Sequence, residues 1–133
     1  MVEINQLNGH IRFTGEVAGI EKIKLYKDSH IFVFPPIEPE GMPWVLLEAM
    51  SARLPVITTN QGTIPEVVED GKSGFIIEPT AENIANKICL LLENPSIARE
   101  MGENGRIRVE KYFNEEIYFK RMVEVFKNAL ETE

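Results

Sequence analysis

Two glutamates, Glu40 and Glu48, lie in the stretch Pro35-Pro36-Ile37-Glu38-Pro39-Glu40-Gly41-Met42-Pro43-Trp44-Val45-Leu46-Leu47-Glu48-Ala49-Met50, whose residue types suit the binding of an anion and of its neighbouring groups. The prolines make the loop stiff, and Gly41 lets another group approach the backbone closely. A helix opening at Pro43 leaves the N–H groups of Trp44 and Val45 without intrahelical partners, and such an end attracts a phosphate. Glu48 falls about one turn further along, at 1.5 Å of rise per residue, roughly the distance from a diphosphate to the ribose of the same nucleotide. Glu40 lies on the opposite side of the anion position. The same spacing also describes a helix glutamate that faces water. Flanked by Val45, Leu46, Leu47, Ala49 and Met50, however, Glu48 must reach solvent or meet a hydroxyl or N–H donor, because an unpartnered buried carboxylate costs several kcal/mol.

A second loop, Thr58-Thr59-Asn60-Gln61-Gly62-Thr63-Ile64-Pro65-Glu66, has Gly62 for a tight turn and Thr63 as a helix cap, and read alone it is an ordinary strand-to-helix connection. Metal-dependent chemistry finds little support. The only aspartates are Asp28 and Asp70, so no Asp-x-Asp pair exists to hold a divalent cation, and His10 and His30 form no zinc-like cluster with the lone cysteine. No metal site is expected.

The elements that must position these residues alternate. Residues 11–14 read as a strand closed by Gly15, residues 20–26 as a short helix with Ile20, Ile23 and Leu25 inward, and residues 31–34 as a strand covered on both faces and ended by Pro35-Pro36. A helix over 43–52, a buried strand over 55–59, a short helix over 63–69 and a strand over 74–77 follow. Helices are then expected over 80–92, opened by Thr80 with Ala81, Ile84, Ile88, Leu91 and Leu92 inward; over 96–110, after the break at Asn94-Pro95; and over 115–130. The last carries an apolar stripe of Phe119, Met122, Val123, Phe126 and Leu130, a docking face that stays partly exposed without a partner. Short strand–helix connections imply parallel pairing and right-handed crossovers. The expected fold is α/β: a partial doubly wound, Rossmann-like parallel sheet of about four strands with C-terminal helices.

At 133 residues and 44% apolar content the chain supports one core and one domain. Its apolar runs fall far short of the roughly 20 residues of a membrane span, and the N-terminus lacks a secretory pattern. With 14 basic against 21 acidic residues, a net charge of −7 argues against nucleic acid as a partner. A single cysteine, Cys89, excludes an internal disulfide and fits a reducing cytoplasm; next to Ile88 and Leu90 it reads as a core residue, and Trp44 reads in one alternative as packed against the next helix.

Taken in order, several segments resemble the C-terminal, donor-binding domain of a two-Rossmann-domain (GT-B) glycosyltransferase. They are Arg12-Phe13-Thr14-Gly15, Ile31-Phe32-Val33-Phe34-Pro35, Glu40-x₇-Glu48 with Leu47-Glu48-Ala49-Met50, Pro55-Val56-Ile57-Thr58-Thr59, Ile64-Pro65-Glu66-Val67-Val68 and Gly71-Lys72-Ser73-Gly74-Phe75. The resemblance is strongest to the retaining group 1 family, also called family 4, which includes sucrose, trehalose, mannosyl and capsule-sugar transferases. It implies that Glu48 accepts from the ribose hydroxyls of a nucleotide-sugar and that the Trp44 and Val45 amides meet its diphosphate. Glu40, the position carried over as catalytic, binds a donor-sugar hydroxyl, with Gly41 and Met42 giving backbone contacts. Gly15 and Val17 lie near the base, and Gly62 is a substrate-binding position in the donor loop. No cofactor is implied, the nucleotide-sugar being substrate, and transfer is metal-independent with retention. Departures from the family pattern are Pro36 for serine, Thr63 for a second glycine, Asn60 for an aspartate and His30 for an aspartate.

The resemblance also implies that the domain's first strands and the acceptor domain are absent from residues 1–133, and with them the basic residues that neutralise the diphosphate; residues 29–52 contain neither Lys nor Arg. The expectation is therefore a donor-binding domain that alone binds weakly and does not turn over. Its strand at 11–14 either pairs directly beside 31–34 or is covered in a homodimer, and a separate N-terminal half supplies the rest. The alternative is a non-catalytic domain that binds a nucleotide or a partner chain.

Overall fold

The computed structural model describes residue 7 and residues 9–130. Its elements are α1 (Gly19–Asp28), β1 (Phe32–Phe34), α2 (Trp44–Ser51), β2 (Val56–Thr59), α3 (Ile64–Val67), β3 (Gly74–Ile77), α4 (Ala81–Glu93), α5 (Pro95–Tyr112) and α6 (Glu115–Leu130). The three strands form one parallel sheet in the order β1-β2-β3, with Phe32 opposite Val56 and Val56 opposite Gly74.

Successive strand residues point to opposite faces, and both faces are covered. On one side Val56, with Phe32, Phe34 and Ile76, packs against Leu46, Leu47, Ala49 and Met50 of α2 and Ile64 and Val67 of α3. On the other, Ile57, with Val33, Phe75 and Ile77, meets Ile88 and Leu91 of α4 and Ala98 and Met101 of α5. The doubly wound reading follows from this alternation, since an unbroken apolar strand must have helices on both sides.

Among the described residues the sheet has three strands, where about four were expected. Residues 11–14 join no strand of the sheet, and Phe13 is 82% exposed. They do not pair beside β1, whose one strand neighbour is β2. Ile11 makes an isolated β-bridge, but a strand exists through a continued ladder, and residues 12–14 build none among the described residues.

The helix boundaries follow local chemistry. Thr80 caps α4 by accepting from the Asn83 amide at 3.2 Å, and Asn94 closes it by donating from Nδ2 to the Leu90 carbonyl at 2.8 Å, after which Pro95 opens α5. Within α4, Ile84, Ile88 and Leu91 face inward, whereas Ala81, Cys89 and Leu92 are exposed. Cys89 is thus not a core residue: it follows Ile88 by one position, which turns it about 100° off the buried arc. In α1, Leu25 of the expected apolar set is half-buried, but Ile20 and Ile23 are exposed and Lys22 and Tyr26 take the half-buried face instead.

Helix α5 straps the layer that carries α2 and α3. Gly102 lies so close to the Arg53 carbonyl that a Cβ there would come within 2.8 Å of its carbon. Arg106 donates from Nη1 to the Ser51 carbonyl at the end of α2 (2.8 Å), and Arg108 donates to the Val67 and Glu66 carbonyls at the end of α3 (2.7 Å each). Cations at helix C-termini satisfy carbonyls that the helix leaves open. On α6, Tyr118, Phe119, Val123 and Phe126 are exposed, as the stripe led one to expect; the side chain of Leu130 lies outside the described residues. No helix among the described residues is long and apolar enough to cross a membrane.

Candidate functional site

The loop between β1 and α2 is held by the loop after β2. Thr59 donates from Oγ1 to the Pro36 carbonyl at 2.6 Å, the Thr63 amide donates to the Glu40 carbonyl at 3.2 Å, and the Thr63 hydroxyl donates to the Gly41 carbonyl. Gly62, at φ +53°, packs against Glu40 so closely that a Cβ would come within 2.9 Å of its amide nitrogen and nearer still to its carbonyl oxygen. Thr63 was expected to cap α3, but no side-chain cap bond forms there, because its hydroxyl is used across the two loops. The two departures at 36 and 63 therefore both take part in this lock: residue 36 through a carbonyl that any residue supplies, residue 63 through a hydroxyl that glycine lacks.

The lock delivers the chain into α2. Pro43 is the N-cap, one residue earlier than the first helical turn, with extended backbone (φ −75°, ψ 98°). Among the described residues the amides of Trp44 and Val45 have no backbone acceptor, the first α2 amide to find one being Leu46, on the Pro43 carbonyl at 3.0 Å. Two bare donors thus stand at the positive end of the helix. Trp44 does not pack against the next helix: its side chain is 72% exposed.

One turn on, Glu48 is half-buried and both carboxylate oxygens are engaged. Lys22 Nζ lies 2.7 Å from Oε1, and the Tyr26 hydroxyl donates to Oε2 at 2.9 Å. Glu48 thereby meets a hydroxyl and an ammonium together, as its apolar flanks require. Tyr26 is fixed in turn by its ring, 5.7 Å from that of Phe32 and tilted by 58°. Burial, and secondarily the hydrogen bond to Glu48 and its negative charge, push the Tyr26 phenol up to about 12, so it stays protonated as a donor.

Between α1 and α2 opens a cleft of about 750 Å³, whose lining includes Gly19, Lys22, Tyr26, Trp44, Glu48 and Arg53. Of the residues singled out in sequence, the fold brings Trp44 and Glu48 into this cleft. Glu40, Gly41, Met42 and Gly62 lie instead in the interlocked loops ahead of α2, and none lines the cleft. Val45 is half-buried in the first turn of α2; Gly15, exposed at φ +66°, and half-buried Val17 precede α1, also outside the lining. No group of three or more metal-ligating side chains occurs among the described residues.

Lys22 and Tyr26 were not singled out. Their i, i+4 spacing puts both on one face of α1, and Glu48 called for a hydroxyl or N–H donor. What sequence could not show is that α1 lies against α2 along that face.

The family described as glycosyl transferases group 1 matches residues 1–108. A capsular polysaccharide biosynthesis glycosyltransferase, CapM of Staphylococcus aureus, is 35% identical over 111 residues, which is 83% of this chain and 29% of that protein. Among solved structures, a sucrose-phosphate synthase from Thermosynechococcus elongatus superposes with a TM-score of 0.84 at 28% identity, over 99% of this chain and 33% of the other. The C-terminal domain of a glycosyl transferase group 1 family protein (LpcC) from Francisella tularensis gives a TM-score of 0.77 at 28% identity, over 86% of this chain and 59% of that one. The chain thus spans about a third or less of the full-length relatives it resembles, and its α/β arrangement is the Rossmann-like one of GT-B glycosyltransferases.

Proposed function

The chain belongs to the group 1 glycosyl transferases, and from that footing we propose that it is the donor-binding domain of a retaining, metal-independent glycosyltransferase that moves a hexosyl group from a nucleoside-diphosphate sugar to an acceptor. The observation that carries this reading is the placement of Glu48: a carboxylate on the wall of a cleft, one helical turn from the bare amides of Trp44 and Val45. Four residues of α-helix span about 6 Å, which matches the reach from a diphosphate to the ribose attached to it.

In this assignment the Trp44 and Val45 amides take the diphosphate and Glu48 accepts from the ribose hydroxyls. Gly15 and Val17, ahead of α1, border the base. Glu40 binds a hydroxyl of the donor sugar, and Gly41 and Met42 present backbone groups to it. Gly62 completes the donor-binding loop, and its close packing sets the height of the Glu40 carbonyl. In the reaction the bond from the anomeric carbon to the phosphate oxygen breaks, the nucleoside diphosphate leaves with the bonding pair, and the acceptor oxygen bonds to the same face of the sugar. Its proton passes to the departing phosphate. This course of reaction needs no nucleophile from either glutamate.

Charge favours weak binding by this chain alone. The helix end contributes about 0.3–1 kcal/mol per exposed anion. Lys22, Lys27 and Arg53 line the cleft, but Lys22 is paired with Glu48 and Arg53 with Glu103 (2.9 Å). Turnover then requires an N-terminal acceptor half in addition to residues 1–133.

The test is ligand-observed NMR of the chain with UDP-glucose, GDP-mannose and ADP-glucose, repeated on Glu48→Ala. One donor is expected to bind and to lose about tenfold or more in affinity with the variant, as for a hydrogen bond to a charged group. Unchanged binding by Glu48→Ala would overturn the ribose assignment. Sugar transfer at ordinary enzyme rates by the chain alone would overturn the need for a second half.

A further inference from the structure

We propose that Tyr26 and Lys22 are positioning residues for Glu48: by taking one lone-pair site on each carboxylate oxygen, they leave one on each to receive the two adjacent hydroxyls of a ribose. This rests on the reading of Glu48 as a ribose acceptor and adds to it the residues that make the acceptor selective.

The geometry supports the division of labour. An ionised carboxylate offers about four acceptor sites, two per oxygen. Lys22 occupies one on Oε1 and Tyr26 one on Oε2, at 2.7 and 2.9 Å. The remaining pair, one per oxygen, has the spacing of a vicinal diol, and the carboxylate borders the cleft in which a ligand would lie. Without the two donors Glu48 would be free to rotate about its last torsion, which is broad and weakly restrained.

The two donors are not equivalent. Lys22 is a flexible point charge, and its pair with Glu48 is more than a third exposed on both sides, so its energetic weight is small. Tyr26 is set by its ring against Phe32, so its hydroxyl arrives at one place and orients the carboxylate plane. Both sit on the half-buried face of α1, a helix with no fully buried residue. A purely structural role, tying α1 to α2, would change stability without changing which sugar is preferred.

The test compares each of UDP, GDP and ADP with its 2′-deoxy counterpart on the 133-residue chain, wild type, Tyr26→Phe and Lys22→Gln, by ligand-observed NMR titration. Tyr26→Phe keeps the ring and removes only the hydroxyl; Lys22→Gln changes a half-exposed side chain and stands in should the first variant lose its circular dichroism. The wild type is expected to prefer the ribonucleotide by about tenfold, the worth of one hydrogen bond to a carboxylate. Either variant is expected to lose about threefold or more of that preference, with affinity for the 2′-deoxy nucleotide held within about twofold. Equal preference in the wild type and in the folded variants would overturn the positioning role and leave the ribose reading standing. No preference in the wild type, or no nucleotide bound, would bring down the ribose reading and this inference with it.

Discussion

Replacing Gly62 by alanine tests whether the loop carrying Glu40 is held from behind. Two costs follow from the structure. The backbone at φ +53° lies in the left-handed region, where a Cβ costs about 1–2 kcal/mol. That Cβ would also come within 2.8 Å of the Glu40 carbonyl carbon and inside the contact distance of its oxygen, so the loop must retreat. Retreat breaks the bond from the Thr63 amide to the Glu40 carbonyl, and that from the Thr63 hydroxyl to the Gly41 carbonyl, each worth about 0.5–1.5 kcal/mol. The combined loss is about 2–5 kcal/mol, a large part of a domain stability of about 5–15 kcal/mol. In urea, at about 1–3 kcal/mol per molar, the midpoint should fall by about 0.7 M or more, the loss divided by the slope. Gly41→Ala is the internal control. Gly41 has no atom within 4 Å of a built Cβ and no positive φ, so the variant's stability should stay within about 0.5 kcal/mol of wild type. The reasoning is refuted if Gly62→Ala unfolds where wild type does, or if both variants lose stability equally.

Two further outcomes follow from single groups. Thr58 Oγ1 is buried and has no hydrogen-bond partner among the described residues, so Thr58→Val, which keeps the β-branched shape, should raise stability by about 1 kcal/mol in the same urea titration; a lower midpoint would reveal a partner for the hydroxyl. The Tyr26 phenol is raised from 10 to about 12 by burial and by Glu48, whereas that of Tyr112 is lowered, first by its bond to Lys111. A raised folded-state value stabilises fully below the unfolded value of 10 and is lost as pH climbs through about 12, so between those limits wild type should lose stability more steeply than Tyr26→Phe. Parallel pH dependence of the two urea midpoints would refute the assignment.

What was legible in sequence was what neighbouring residues decide among themselves. The Thr80 cap, the break at Asn94-Pro95, the whole of α6 and the three strands of the sheet all stand where local pattern put them. The errors share a cause. Residues 11–14 have strand chemistry, but a strand is completed by a ladder partner that no local pattern reports. Cys89 sits within an apolar run, yet the run is longer than the arc of α4 that faces the sheet, and one position past Ile88 is already outside it. Thr63 has the type and position of a cap, but the Gly41 carbonyl competes for its hydroxyl from 22 residues away. Lys22 and Tyr26 were invisible for the same reason, 26 and 22 residues from the carboxylate they meet.

Helix α2 illustrates why the site could be named before its geometry. It is fixed at three places by three different segments. The loop at its start is held by Thr59, Gly62 and Thr63 from beyond β2; its last carbonyls are held by Arg106 of α5; and its middle is held by α1 through Glu48. Apart from Gly15 and Val17 near the base, the residues that would touch a ligand lie within residues 40–48, whereas those that aim them are spread from residue 22 to residue 106. The three ties also differ in strength. The start depends on backbone contact that a single methyl would disrupt, and the end on a charge-assisted bond to a helix terminus. The middle depends on a half-exposed ion pair, worth little in water, and one tyrosine hydroxyl. A ligand entering the cleft would therefore find the ends of α2 set and its most adjustable contact at Glu48, so selectivity for the ribose should depend on α1 more than on the loops that hold the sugar.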